Sequence, residues 1–179
     1  MNKTIVFMTS AFFLAGCQSI YTAQTTLPIK EKNPGEQSIP KYQEFINSGD
    51  LLPIQYVVDI KGNTIDLTNN KKRKLVILFA TCCPDSNRAV KALNKSPLLN
   101  DPAVDVIAIA REETNEDVIK WRDKNNIRVP LATDINRSIY QQFAVGGIPR
   151  LITVGKDNRV IKMNLAEEQE QEQLKLIQW

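Results

Sequence analysis

The sequence predicts an α/β fold with a mixed central sheet flanked by helices and an N-terminal β-hairpin. Three observations predict it. Short apolar runs, Lys74–Phe79 and Val104–Ala110, read as strands buried on both faces. Helical segments alternate with them, which is the pattern of an α/β core. Two late strands, Arg150–Val154 and Val160–Met163, flank the turn Gly155-Lys156-Asp157-Asn158, so they must run antiparallel and make the sheet mixed.

The elements follow in order. Residues 1–16 carry Lys3 and then an apolar stretch of 11 residues, 4–14. A helix needs about 20 apolar residues to cross a bilayer, so this stretch reads as a signal peptide rather than a permanent anchor. It ends in Leu14-Ala15-Gly16-Cys17. Residues 17–48 are polar and hold Pro28, Pro34 and Pro40, the composition of a flexible tether, with a short helix expected at Lys41–Asn47. The domain is expected to span 49–179. Ile54–Ile60 and Thr64–Leu67 alternate around Lys61-Gly62-Asn63, which predicts the hairpin. The basic run Lys71-Lys72-Arg73-Lys74 reads as a solvated loop before the first buried strand.

Pro84 opens a helix to about Asn94, because a proline loses nothing at the first helical position. Thr114 or Asn115 caps a second helix, Asn115–Asn125. A third, short helix is expected over Asn136–Phe143, entered through Asp134. A terminal helix is expected over Ala166–Ile177, with Leu165, Leu174 and Ile177 against the sheet.

Composition excludes much chemistry. The net charge is +3, and removing residues 1–16 takes only Lys3, leaving the chain near +2. That is no footprint for nucleic acid. There is no histidine, which excludes Ser-His-Asp and Cys-His catalysis and His-ligated zinc or haem. Carboxylates and thiols must carry any reaction, and no metal or organic cofactor is expected.

The informative segment is Leu78-Phe79-Ala80-Thr81-Cys82-Cys83-Pro84-Asp85-Ser86. A buried strand ends, a helix begins, and Cys83 stands at the junction. The free N–H groups and positive dipole end of a helix N-terminus stabilise a thiolate, the nucleophilic form of cysteine. Asp85 in the first turn opposes a second negative charge there, and Arg88 and Lys91 partly offset it.

These residues resemble the Phe-Ala-Thr-Trp-Cys-Pro-x-Cys region of thioredoxin-like proteins, in particular the membrane-tethered thiol–disulfide oxidoreductases similar to TlpA and ResA. Ala144-Val145-Gly146-Gly147-Ile148-Pro149 resembles the family's second motif, and the resemblance covers roughly residues 50–165. It implies a thioredoxin-like fold. It also implies a cis proline at Pro149 facing Cys83, with Pro84, Ile148 and Pro149 docking the substrate. Leu14-Ala15-Gly16-Cys17 resembles the bacterial lipobox. That implies lipid on Cys17 and residence in the cell envelope facing the periplasm. Gln18, where Asp would mark inner-membrane retention, favours the outer membrane. Protein thiols and disulfides of the envelope are the implied partners.

Three positions depart from the family. Ser86 replaces the resolving cysteine, Cys82 the tryptophan, and Ile77 the buried acid that serves the resolving thiol. Adjacent Cα atoms lie 3.8 Å apart, shorter than the ~4.4–6.8 Å of an ordinary disulfide. A Cys82–Cys83 bond is therefore strained, and Cys82 is expected as a small hydrophobe filling space near the site. The Ser86 hydroxyl is within reach of Cys83 and can donate to its thiolate, but it cannot resolve a mixed disulfide. The expected activity is monothiol reduction or isomerisation at Cys83, and the alternative is a redox-inactive peptide-binding module. A peroxidase is disfavoured because Val76 and Ala80 stand where that class has proline and threonine. Copper delivery is disfavoured by the missing histidine. Arg111, Glu112, Glu113 and Arg150 are candidates for the rim of the site, or plain solvated loop charges. Nothing in the sequence bears on the oligomeric state.

Overall fold

The computed structural model describes residues 42–167 and 173–179. The chain divides into a unit at 1–38 and a unit at 39–179, and only the second contains described residues. The signal peptide, Cys17 and most of the expected tether lie outside them.

The central sheet has five strands in the order β5-β4-β3-β6-β7. β3 (Arg73–Phe79) runs parallel to β4 (Val104–Arg111), and β4 parallel to β5 (Leu131–Asp134). β6 (Arg150–Val154) is antiparallel to β3, and β7 (Val160–Leu165) is antiparallel to β6. The mixed sheet is therefore present as expected. So is the preceding hairpin, β1 (Tyr56–Val58) against β2 (Thr64–Asp66). It leans on the β5 edge, where Asp59 bridges Ala132 and the Ile60 N–H donates to the Leu131 carbonyl at 2.9 Å.

β3 is buried on both faces because its side chains alternate between two apolar clusters. Leu75, Ile77 and Phe79 pack with Ala89, Val90 and Leu93 of helix α1 (Pro84–Lys95). Val76 and Leu78 pack with Ile107, Ile109, Tyr140, Phe143 and Ile152 on the other face. Each such side chain contributes about 1.5–3 kcal/mol when fully buried, so the site is carried by a strand packed into the core on both faces. Helix α2 (Asn115–Asn125) is capped by Thr114, whose side chain accepts the Asp117 N–H at 3.2 Å. It presents Trp121 to Phe79, ring centroids 5.4 Å apart. No described helix is long and apolar enough to cross a membrane.

Four local expectations are corrected. The expected helix at 41–47 is instead extended over the described residues 42–47: Glu44 bridges Ala144 and the Phe45 N–H donates to the Phe143 carbonyl at 2.8 Å. This stretch therefore belongs to the body and not to a free tether. The helix expected over Asn136–Phe143 is replaced by turns and a single 3-10 turn, Tyr140–Gln142. Arg137 has φ +64°, which no right-handed helix accommodates, and the Asp134 carboxylate takes the N–H groups of Ile139 and Tyr140. The terminal helix is not formed in its described part. Leu165 ends β7 opposite Arg150, Gln173–Leu176 is a 3-10 turn, and 168–172 lie outside the described residues.

Lys74, expected in a solvated run, is fully buried. Its ammonium donates to the Asn69 carbonyl and the Asn158 side chain, both at 2.5 Å, and to the Lys72 carbonyl at 3.2 Å. Burial pushes its pKa below the usual lysine value, opposed by the carboxylates of Asp105, Asp66 and Asp157.

Candidate active site

The site forms where β3 stops. A turn through Ala80, Thr81 and Cys82 delivers Cys83 to the N-cap of α1, with Pro84 at the first helical position. No side chain caps this helix end. Its dipole and free amides therefore face the Cys83 side chain rather than a carboxylate or hydroxyl cap.

Three side chains hold the turn. The Ser86 hydroxyl accepts the Ala80 N–H at 3.3 Å. Glu113, which follows β4, accepts the Thr81 N–H at 2.5 Å. The Asn87 amide donates to the carbonyls of Thr81 and Cys83 at 2.6 and 2.9 Å while accepting the Trp121 indole N–H at 2.8 Å. Asp85 is paired with Arg88, so its charge is spent within the first turn of α1.

The opposite wall is the loop before β6. The Ile148–Pro149 bond is cis, as the resemblance implies, and the Cys83 thiol lies 3.9 Å from the Ile148 carbonyl. Cys83, Ile148 and Pro149 are thus brought together across the gap between α1 and β6. Gly147 has φ +84°, and a Cβ there would lie 2.9 Å from the Leu165 side chain. The backbone conformation favours glycine, and a side chain there would also displace the Leu165 methyls. Pro84 is exposed beside Cys83.

Two residues stand differently from the expectation. Ser86 is fully buried and turned to Ala80, and among the described residues it makes no hydrogen bond to the Cys83 sulfur. Cys82 is exposed and does not fill space in the core. Both cysteines are free thiols. Ile77 is buried in the α1-side cluster, so this position supplies no acid beneath the site.

Arg150 is also placed differently from the expectation. It is neither a rim charge nor solvated: its side chain is 0% exposed. Its guanidinium pairs with Glu44, donates to the Gly146 carbonyl at 2.6 Å and reaches the Tyr140 hydroxyl at 3.4 Å. Tyr140 in turn donates to the Gly147 carbonyl at 2.7 Å, and Arg137 to the Val145 carbonyl. The guanidinium groups of Arg111 and Arg137 lie 4.9 and 5.1 Å from the centre of the Tyr140 ring. The cue was a lone arginine in the apolar run Ile148–Val154, since arginine is rarely fully buried without a partner.

Comparison with known proteins identifies the family and the fold. The sequence model of the Redoxin family matches residues 43–176. The chain is 26% identical over 134 residues to the thiol-disulfide oxidoreductase ResA of Bacillus thuringiensis, covering 74% of this chain and 77% of that one. The ResA of Bacillus anthracis matches to the same extent. Among solved structures it is similar to a candidate protein disulfide isomerase from Bacteroides thetaiotaomicron, with a TM-score of 0.64 and 20% identity over 71% of this chain and 84% of that one. It is also similar to a secreted disulfide oxidoreductase of Mycobacterium tuberculosis, with a TM-score of 0.58 and 17% identity over 68% and 90%. The fold is thioredoxin-like.

Proposed function

Because the chain belongs to the Redoxin family, which its sequence matches over residues 43–176, we propose that it is a thiol–disulfide oxidoreductase that works through one cysteine, Cys83. The single observation that carries this reading is the Cys83 thiol at an uncapped helix N-terminus, 3.9 Å from the carbonyl of Ile148, with serine at position 86. The thioldisulfide oxidoreductases among its relatives support the reaction class.

The chemistry is exchange. The Cys83 thiolate attacks one sulfur of a protein disulfide, and the other sulfur leaves as a thiolate. Cys83 is then joined to the substrate in a mixed disulfide. If the released substrate thiolate attacks back at the substrate sulfur, the original disulfide re-forms; if a different thiolate of the same substrate attacks there, Cys83 departs, a new disulfide pairing forms and the outcome is isomerisation, with no net redox change. If an external thiol attacks at Cys83, the substrate leaves reduced. A second external thiol then frees Cys83, so two thiols end as one disulfide. Ser86 cannot carry out the release, so the mixed disulfide persists until a thiol of the substrate or of a third molecule attacks it. Pro84, Ile148 and Pro149 line the gap in which an extended substrate segment docks.

The lipobox-like Leu14-Ala15-Gly16-Cys17 supports a lipid anchor on Cys17 after removal of 1–16, with a tether that carries the domain into the periplasm, the outer membrane being favoured. Cys17→Ser should move the protein from the membrane fraction to the soluble one.

The test uses the Cys17→Ser chain with a disulfide-bearing protein and then oxidised glutathione. A stable adduct is expected on Cys83, absent in Cys83→Ser, persistent without added thiol and released by reduced glutathione. If Cys83 reacts no faster than an exposed model thiol, the protein is instead a redox-inactive module that uses the same gap to bind peptide.

A further inference from the structure

The loop that faces Cys83 is held from outside by a segment that the sequence places in the tether. Every carbonyl from Val145 to Pro149 has a partner: Arg137 for Val145, Arg150 for Gly146, Tyr140 for Gly147, the Cys83 thiol for Ile148, and the Ala166 N–H for Pro149. Arg150 is the centre of this set, since it binds Gly146 directly and touches the hydroxyl that binds Gly147. A fully buried guanidinium needs a counter-charge, and among the described residues the one it has is the part-exposed Glu44. Glu44 is itself fixed by strand-like pairing, because the Val145 N–H donates to the Gln43 carbonyl at 2.9 Å and the Phe45 N–H to the Phe143 carbonyl at 2.8 Å. Tyr42 closes the segment over the loop: a Cβ on Gly146 would stand 3.0 Å from its ring.

We infer that Glu44 and Arg150 are positioning residues for the substrate-docking loop, and that the segment Tyr42–Phe45 is a working part of the site rather than the end of a tether. This inference rests on the reading of residues 146–149 as the docking wall opposite Cys83. The fork of Arg150 serves Glu44 and Gly146 together, which a lysine ammonium cannot do with the same geometry. Removing the Glu44 charge leaves the guanidinium buried without its counter-ion. It then moves toward solvent and releases Gly146, so the loop loses its fixed spacing from Cys83. Small disulfides, which need only the sulfur, feel this less than peptides, which need the loop.

The test compares wild type, Glu44→Gln and Arg150→Lys by two measurements. The first is the ratio of rate constants for Cys83 with a peptide disulfide and with 5,5′-dithiobis(2-nitrobenzoate). Both variants should lower the ratio by about tenfold, the factor that corresponds to losing roughly one charge-assisted hydrogen bond. A ratio equal to wild type overturns the inference. The second is amide hydrogen exchange at Val145 relative to Ile77 in β3, which does not depend on thiol chemistry. Exchange at Val145 should rise by about tenfold relative to Ile77 in both variants. Equal acceleration at the two amides means general destabilisation and also overturns it. Should Cys83 prove inert to both disulfides in wild type, the proposed activity falls and the exchange ratio alone decides the role of Glu44 and Arg150.

Discussion

Restoring the missing second thiol is the most direct perturbation of this site. In Ser86→Cys, the new sulfur stands three residues after Cys83 on the first turn of α1, and Cα atoms so spaced on a helix of ~2.3 Å radius and ~1.5 Å rise per residue lie about 5 Å apart. That is within the Cα range of about 4.4–6.8 Å for an unstrained disulfide. Closing so short a loop removes little chain entropy: the loop-closure relation gives about 2 kcal/mol for four residues. Against this, Ser86 now satisfies the buried Ala80 N–H, and a thiol is a weak acceptor, so the reduced variant should lose about 1–3 kcal/mol relative to wild type. At roughly 4 °C per kcal/mol for a domain of this size, the oxidised and reduced variants should differ by roughly 8 °C in Tm, with the reduced form below wild type. Thermal unfolding followed by circular dichroism, with and without dithiothreitol, reads both differences, and a glutathione titration should show a two-electron transition absent from wild type. Two results refute the reasoning. A dithiothreitol-dependent Tm in wild type would mean that Cys82 and Cys83 form a bond, which ends the monothiol reading. No redox-dependent shift in Ser86→Cys would mean that positions 83 and 86 do not face each other.

Two further outcomes follow from the same geometry. Asn87→Ala strips partners from the Thr81 and Cys83 carbonyls and from the Trp121 indole N–H, and should cost about 1–3 kcal/mol in urea unfolding, because half-buried polar groups lose protein partners and recover only partial hydration; a change within experimental error would mean that the turn is held by its backbone alone. The carboxyls of Asp59 and Asp66 sit below the ordinary value of 3.8, held there first by the side chains of Asn63 and Thr68 and then by backbone N–H groups. A depressed folded pKa adds stability that is fully present above the unfolded value and is lost as pH falls through the folded one. The amide signals of residues 56–66 should therefore be steady above pH 4 and change only below it, and the change should flatten in Asp59→Asn with Asp66→Asn. A midpoint at or above 3.8 for the hairpin would contradict this.

What the sequence makes legible here is what short-range pattern encodes. The buried strand Lys74–Phe79, the proline at the first position of α1 and the turn between β6 and β7 each rest on neighbours within a few residues. The errors are long-range. Arg150 looks like a loop charge because Glu44, its partner, is 106 residues away. Lys74 looks solvated because the side chain that accepts from its ammonium, Asn158, is 84 residues away. Asn136–Phe143 has the composition of a helix, yet a single buried carboxylate, Asp134, outcompetes the helical ladder for two of its amides. β5 is four residues long and lacks alternation, so nothing local distinguishes it from a loop.

The departures from the family pattern gain coherence once sorted by the thiol they serve. A resolving thiol must be close to the first sulfur and must exchange a proton. Position 86 holds a hydroxyl committed to the Ala80 amide, and position 77 holds an isoleucine packed among Leu75, Phe79 and Ala89. Both requirements fail together. The first thiol has different needs: a helix end not occupied by a capping side chain, an opposing carbonyl, and a wall held at fixed distance. Cys83 at the N-cap, the Ile148 carbonyl at 3.9 Å and the five partnered carbonyls of residues 145–149 meet all three. A cysteine kept only as a relic places no demand on that wall. The pairing of Arg150 with Glu44 instead fixes the spacing between this loop and Cys83, and its importance for the thiol stands or falls with the peptide-to-small-disulfide ratio in Glu44→Gln.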